Sequence, residues 1–154
     1  MVDAWRLVKP KWAGSAFDGE GARIAGGRWN APGTATVYTS GSLALAEIEV
    51  LVNLPSARLL GSYVAFRVRF DESLVETVPP AALPLDWRRD PAPDSAKAYG
   101  DRWVREGRSL VLRVPSAVVP AEPNYLVNPA HADAGRLEIV GPLDPLLDPR
   151  LGGA

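Results

Sequence analysis

Cysteine is absent from this chain and histidine occurs once, as His131. The first absence excludes disulfides, thiolate metal sites and a cysteine nucleophile, and it agrees with a reducing, cytoplasmic setting. The second leaves a serine triad only His131 as its base, and no Gly-x-Ser-x-Gly elbow accompanies it. Carboxylates would be the main ligands left for a metal, and no Asp-x-Asp loop spacing groups them, so no metal is expected. Excess positive charge is also missing. Seventeen basic and 18 acidic side chains give a formal net charge of −1, too little to draw the chain onto a phosphate backbone, and nucleic acid is not an expected partner. No apolar run approaches the roughly 18 to 20 residues that span a bilayer. The start, Met1-Val2-Asp3-Ala4-Trp5-Arg6, has an early acid and no apolar leader, so a soluble, unexported protein without membrane contact is the expectation.

What is present suits one compact domain over residues 1–154. Hydrophobic residues make up 47% of the chain, and folding at this length buries roughly two-thirds of the unfolded surface. Ala4–Val8 has strand composition and is followed by a long loop punctuated by Gly14, Gly19, Gly21, Gly26 and Gly27. Thr36–Ser40 returns to strand composition. Ser42–Leu54 lacks glycine and proline, with Ser40 or Ser42 as N-cap and Pro55 as the stop, and reads as a helix. Ser62–Phe70 alternates, placing Val64, Phe66, Val68 and Phe70 on one face. Five prolines between 79 and 93 indicate a loop crossing the surface. Asp94 or Ser95 opens a short helix that Gly107 ends. Ser109–Val114, Asn124–Asn128 and Arg136–Val140 read as strands, before a tail at about 142–154. Strands outnumber helices without regular βαβ alternation, which predicts an α+β fold.

The glycine loop invites a nucleotide-binding reading, but Gly19-Glu20-Gly21-Ala22-Arg23-Ile24 lacks the third glycine of the dinucleotide fingerprint, and no Gly-Lys-Ser/Thr follows. The informative acid is Glu49, on a helix that looks apolar all round. A carboxylate there is costly unless paired or hydrogen-bonded. It is either tied to an arginine or backbone amide for structure, or held for chemistry. Arg28 follows two glycines and precedes Trp29, so a planar fork fit for a diphosphate or carboxylate stands beside an aromatic face. Its structural alternative is a loop anchor. Arg6, in the first strand, would ordinarily point to solvent. Tyr38 lies in the strand that feeds the Glu49 helix, where a tyrosine is ordinarily core. Ser116 and His131 read as turn residues, and Trp29 is the tryptophan best placed to line a ligand.

Together, Gly26-Gly27-Arg28-Trp29-Asn30, Val37-Tyr38-Thr39-Ser40, Leu43-Ala44-Leu45-Ala46 with Glu49, Val114-Pro115-Ser116 and Asn128-Pro129-Ala130-His131 resemble the RES domain family, in order and spacing, over nearly the whole chain. The arginine, glutamate and serine that name the family fall on Arg28 (Arg6 being the alternative arginine), Glu49 and Ser116. Asn53 departs from the histidine common four residues after the glutamate. The resemblance implies a fold like that of ADP-ribosyltransferases, with NAD as substrate. It also implies a toxin neutralised by an antitoxin with an Xre-type helix-turn-helix domain, in a hetero-oligomer. Glu49, Arg28 and Tyr38 would carry catalysis, and Arg6, Arg28, Trp29, Tyr38, Ser40 and Ser116 would contact NAD. The ADP-ribose would pass to a target protein, water or phosphate. The competing expectation is a non-catalytic module that binds a nucleotide or a partner, with Glu49 and Arg28 merely bridging each other.

Overall fold

The computed structural model describes residues 1–152. Its centre is a mixed seven-stranded sheet: β1 (Val2–Val8), β2 (Val37–Ser40), β3 (Val64–Phe70), β4 (Val75–Thr77), β5 (Val111–Pro115), β6 (Pro123–Val127) and β7 (Glu138–Leu143). They lie in the order β4-β5-β6-β2-β1-β3-β7. Every neighbouring pair is antiparallel except β4 and β5, which run parallel. Three α-helices accompany the sheet among the described residues, α1 (Glu20–Ala25), α2 (Leu43–Leu51) and α3 (Asp94–Glu106). The fold is α+β, as the element pattern predicts.

The strands form where side chains can be buried on a pleat. On β5 and β6, Val111, Tyr125 and Val127 join Ala4, Val37, Val68 and Phe70 in one cluster. The intervening Leu112, Val114 and Leu126 pack against Trp29, Ala96 and Trp103 in another. These central strands are therefore buried on both faces, and α3 covers the second. Trp103 is fully buried, and its indole N–H donates to Ser109 Oγ at 2.8 Å. Truncating such an anchor costs about 3–5 kcal/mol.

Four expectations shift. The glycine-punctuated stretch is not loop throughout, because it holds α1, bounded by Gly19 and Gly26. The helix carrying Glu49 ends at Leu51 rather than Leu54. There the Asn53 side chain donates to the Glu49 carbonyl at 3.1 Å, taking up a carbonyl that the helix end leaves without an intrahelical partner. Strand β4 was not foreseen. The last strand runs from Glu138 to Leu143, later than the expected 136–140, and so enters the tail. The segment 79–93 is a surface loop with a single 3-10 turn at Pro80–Ala82.

One irregularity positions the site. Strand β1 pairs with β3 at seven successive positions but meets β2 at a single register pair, Trp5 with Ser40. The sheet is splayed at its middle, and a cleft opens there.

Candidate active site

The cleft measures about 780 Å³, within the range usual for small-molecule sites. Its floor comes from Arg6 on β1 and Tyr38 and Ser40 on β2, and one wall from Glu49 and Asn53 at the end of α2. The rest is drawn from Gly26–Trp29, from Arg88 and Asp90 of the 79–93 loop, and from Lys97 of α3. Four cations, Arg6, Arg28, Arg88 and Lys97, face two carboxylates, Glu49 and Asp90. A protein of net charge −1 thus gathers positive charge around one opening, which favours an anionic ligand.

Glu49 reaches the cleft because Ser42 caps α2, its hydroxyl accepting from the Leu45 N–H at 3.1 Å, and because Leu45 and Ala46 bury the inner face of the helix. The helix is largely apolar, as expected, but it is not buried on every side, since Ile48 and Val52 are 39% and 58% exposed. The carboxylate has no arginine partner among the described residues. Its Oε1 instead accepts from Ser116 Oγ at 2.6 Å and from Asn124 Nδ2 at 2.7 Å. Ser116 is fully buried behind it. The serine hydroxyl accepts from the N–H groups of Val118 and Val119 at 3.1 and 3.0 Å, which leaves its proton for Glu49. Ser116 is a turn residue as expected, but one whose hydroxyl is aimed at the acid.

Arg28 divides its donors. Nη1 donates to the carbonyls of Trp87 and Arg89 at 3.0 and 2.7 Å, and Nη2 stands 4.0 Å from the exposed Asp90 carboxylate. The edge formed by Nε and Nη2, the geometry suited to a bidentate anion, makes no closer protein bond among the described residues. Both readings of Arg28 are therefore physically compatible: it anchors a loop and presents a fork. Arg6 does not point to solvent. Its Nε donates to the Ala16 carbonyl at 2.7 Å and its Nη1 to the Tyr38 carbonyl at 3.0 Å, spanning the gap between β1 and β2. Burial lowers its pKa from the ordinary value.

Tyr38 is locked from both sides. Its hydroxyl donates to Asn30 Oδ1 at 2.6 Å and accepts from the Trp29 N–H at 2.9 Å. Burial pushes the phenol pKa well above its ordinary value. Gly27 lies against this hydroxyl, where a Cβ would come within 2.6 Å, so the motif glycine makes room for the tyrosine. Trp29 borders the cleft but is only 2% exposed. Its ring stacks on Trp87 at 6.2 Å and meets Tyr99 edge-on at 6.2 Å, so it supports the wall and is no open ligand platform. Ser40 is buried at the cleft floor, in register with Trp5 and Asn124. His131 stays a turn residue, its Nδ1 accepting from the Asp133 N–H at 3.0 Å.

Sequence reasoning gave no role to Asn124, Asn30, Arg88 or Lys97. Asn30 is fully buried, and its Nδ2 donates to the carbonyls of Ala22, Ala31 and Thr34 at 2.8 to 3.1 Å. The polar ends of the Gly-Gly-Arg-Trp-Asn and Pro-Asn-Tyr segments were the available signal. No cluster of three or more His, Cys, Asp or Glu side chains with metal-site geometry occurs among the described residues.

The comparisons with known proteins agree on the family. The RES domain family model matches residues 3–148. The chain is 37% identical over 148 residues to Toxin Res of Yersinia enterocolitica, covering 96% of this chain and 97% of that protein. It is 40% identical over 152 residues to the Prs ADP-ribosylating toxin of a Sphingobium species, covering 96% and 94%. The fold is also similar to a chain in the crystal structure of the M. tuberculosis MbcT-MbcA toxin-antitoxin complex. That likeness has a TM-score of 0.78 at 22% identity and covers 99% of this chain and 87% of that one. With the family model running almost end to end, this chain belongs to the RES domain family.

Proposed function

We propose that this chain is the toxin of a toxin–antitoxin pair and consumes NAD by breaking the nicotinamide–ribose bond. The observation that carries the reading is the Glu49 carboxylate, held through one oxygen by two neutral donors in a cleft ringed by cations. As nicotinamide departs, oxocarbenium-like positive charge develops on the ribose. A fixed carboxylate hydrogen-bonded to a ribose hydroxyl stabilises that charge more than it stabilises the ground state. In this reading Arg28 takes the diphosphate on its Nε and Nη2 edge. The nicotinamide end lies by Tyr38 and Ser40, with Trp29 backing them. Arg6 holds the two strands that floor the cleft, and Ser116 orients Glu49 rather than attacking, because its proton is already donated to that acid.

The relatives' names support the toxin part of the reading, and that of the Sphingobium relative supports transfer of ADP-ribose to a protein. The MbcT-MbcA complex supports an antitoxin partner, which we take to carry an Xre-type helix-turn-helix domain. The non-catalytic alternative pictures Glu49 and Arg28 bridging each other; the absence of such a pair among the described residues weighs against that arrangement.

The purified chain is to be incubated with NAD labelled in its ADP-ribose part, with and without phosphate and with and without cell extract. Release of nicotinamide supports the reading. Label on a protein band then identifies a transferase, free ADP-ribose a hydrolase and a phosphorylated ADP-ribose a phosphorolytic enzyme. Calorimetric binding of NAD with no release of nicotinamide under any condition overturns it.

A further inference from the structure

We propose that Asn124 is a positioning residue for the Glu49 carboxylate. With Ser116, its amide decides which carboxylate oxygen is presented to the cleft. The inference rests on the reading of Glu49 given above and adds a residue to it.

The backbone at Asn124 is set before its side chain is considered. The residue stands in β6 between two ladder partners, Ser40 on β2 and Val114 on β5. From there Nδ2 donates to Glu49 Oε1 at 2.7 Å, the same oxygen that receives the Ser116 proton at 2.6 Å. The other end of the amide is informative too. Asn124 Oδ1 is buried and has no hydrogen-bond partner among the described residues. A buried acceptor without a protein donor carries a desolvation cost, so the orientation of the amide is set by its bond to Glu49. Here the amide is turned to serve Glu49 while its own carbonyl goes unpaired.

The two donors come from one hairpin, Asn124 on β6 and Ser116 in the turn after β5, and converge on a single oxygen. Oε2 has no protein partner among the described residues and remains for whatever enters the cleft. Both donors are neutral, so they fix the acid without cancelling the negative charge that a sugar cation would need. A guanidinium in either place would supply direction and remove much of that charge.

The test uses the full chain as Asn124→Ala, Asn124→Asp and Asn124→Ala combined with Glu49→Gln. Nicotinamide release is followed against NAD concentration. Asn124→Ala is expected to lower kcat on the order of tenfold with KM within about twofold, the pattern of an interaction used in the transition state. In the Glu49→Gln background it should lower kcat no further, since the group it orients has already lost its charge. Asn124→Asp keeps the volume but sets a second carboxylate beside the first, where both cannot comfortably ionise, so it should lose at least as much.

An equal loss of kcat from Asn124→Ala in both backgrounds, or near-normal kcat in Asn124→Asp, overturns the proposal. A thermal-unfolding cycle of Asn124→Ala, Glu49→Ala and the pair gives a readout without NAD. Coupling requires that the two losses in Tm sum to more than the loss in the double variant, and strict additivity overturns the proposal. A wild type that binds NAD yet releases no nicotinamide would refute the catalytic reading of Glu49, while the unfolding cycle still decides whether the amide and the acid are coupled.

Discussion

Replacing Glu49 by Gln changes charge and almost nothing else. The amide oxygen can occupy the position of Oε1 and still accept from Ser116 and Asn124, now at 2.6 and 2.7 Å, while the new NH2 faces the cleft. Two charge-assisted bonds become neutral ones, a loss of about 1 kcal/mol each. Relief of a half-buried charge that has no cation partner among the described residues offsets part of it. The net change in stability should stay within about 1 kcal/mol, or roughly 2–4 °C in Tm for a chain of this size. Catalysis should respond differently, because the stabilisation of a developing sugar cation depends on the lost charge. If that is worth about 3 kcal/mol, kcat falls roughly a hundredfold. The assay is nicotinamide release by purified variants, alongside thermal unfolding and calorimetric NAD affinity. Glu47→Gln is the control, since Glu47 shares the helix and is partly buried, which raises its pKa, but does not line the cleft. Near-wild-type turnover by Glu49→Gln, with Tm unchanged, would refute the role given to this acid.

Arg28→Lys should raise KM for NAD at least tenfold, measured by initial rates, because an ammonium cannot hold the Trp87 and Arg89 carbonyls and still offer a fork. The same variant should be cut faster by protease within 79–93 than the wild type. Gly100→Ala should cost about 3 kcal/mol or more in denaturant unfolding, because its Cβ would collide with the Trp29 carbonyl. Tyr38→Phe leaves Asn30 Oδ1 and the Trp29 N–H unpaired and should cost about 1–3 kcal/mol at neutral pH. Because the folded protein raises the Tyr38 pKa, this phenol contributes stability that is intact below about pH 10 and lost as pH climbs beyond it. The alkaline limb of the Tm-against-pH curve should accordingly be flatter in Tyr38→Phe.

Local signals were legible where one residue type settles the matter. Ser42 caps the helix of Glu49, though that helix stops short of Pro55, Gly107 ends α3, and the alternation from Val64 to Phe70 is β3 itself. Helix α1 was hidden because glycines at both of its ends read as loop punctuation, and the three-residue β4 because it carries too few residues to show a period. For the site, one-dimensional reasoning reached Glu49 through the cost of a carboxylate on an apolar helix. It could not reach Asn124, which lies 75 residues away in sequence and meets Glu49 only through sheet order. Trp29 misled for a related reason. Its neighbours Trp87 and Tyr99 are distant in sequence, and they turn a ring that looks free into buried packing.

The guanidinium of Arg6 acts as a stitch across the seam where β1 and β2 part. Cutting it would let the two halves of the sheet drift and spoil the opening between them from beneath. An Arg6→Ala protein that no longer turns over NAD would then be a scaffold lesion showing the phenotype of a binding lesion, and a lowered melting temperature would expose the difference.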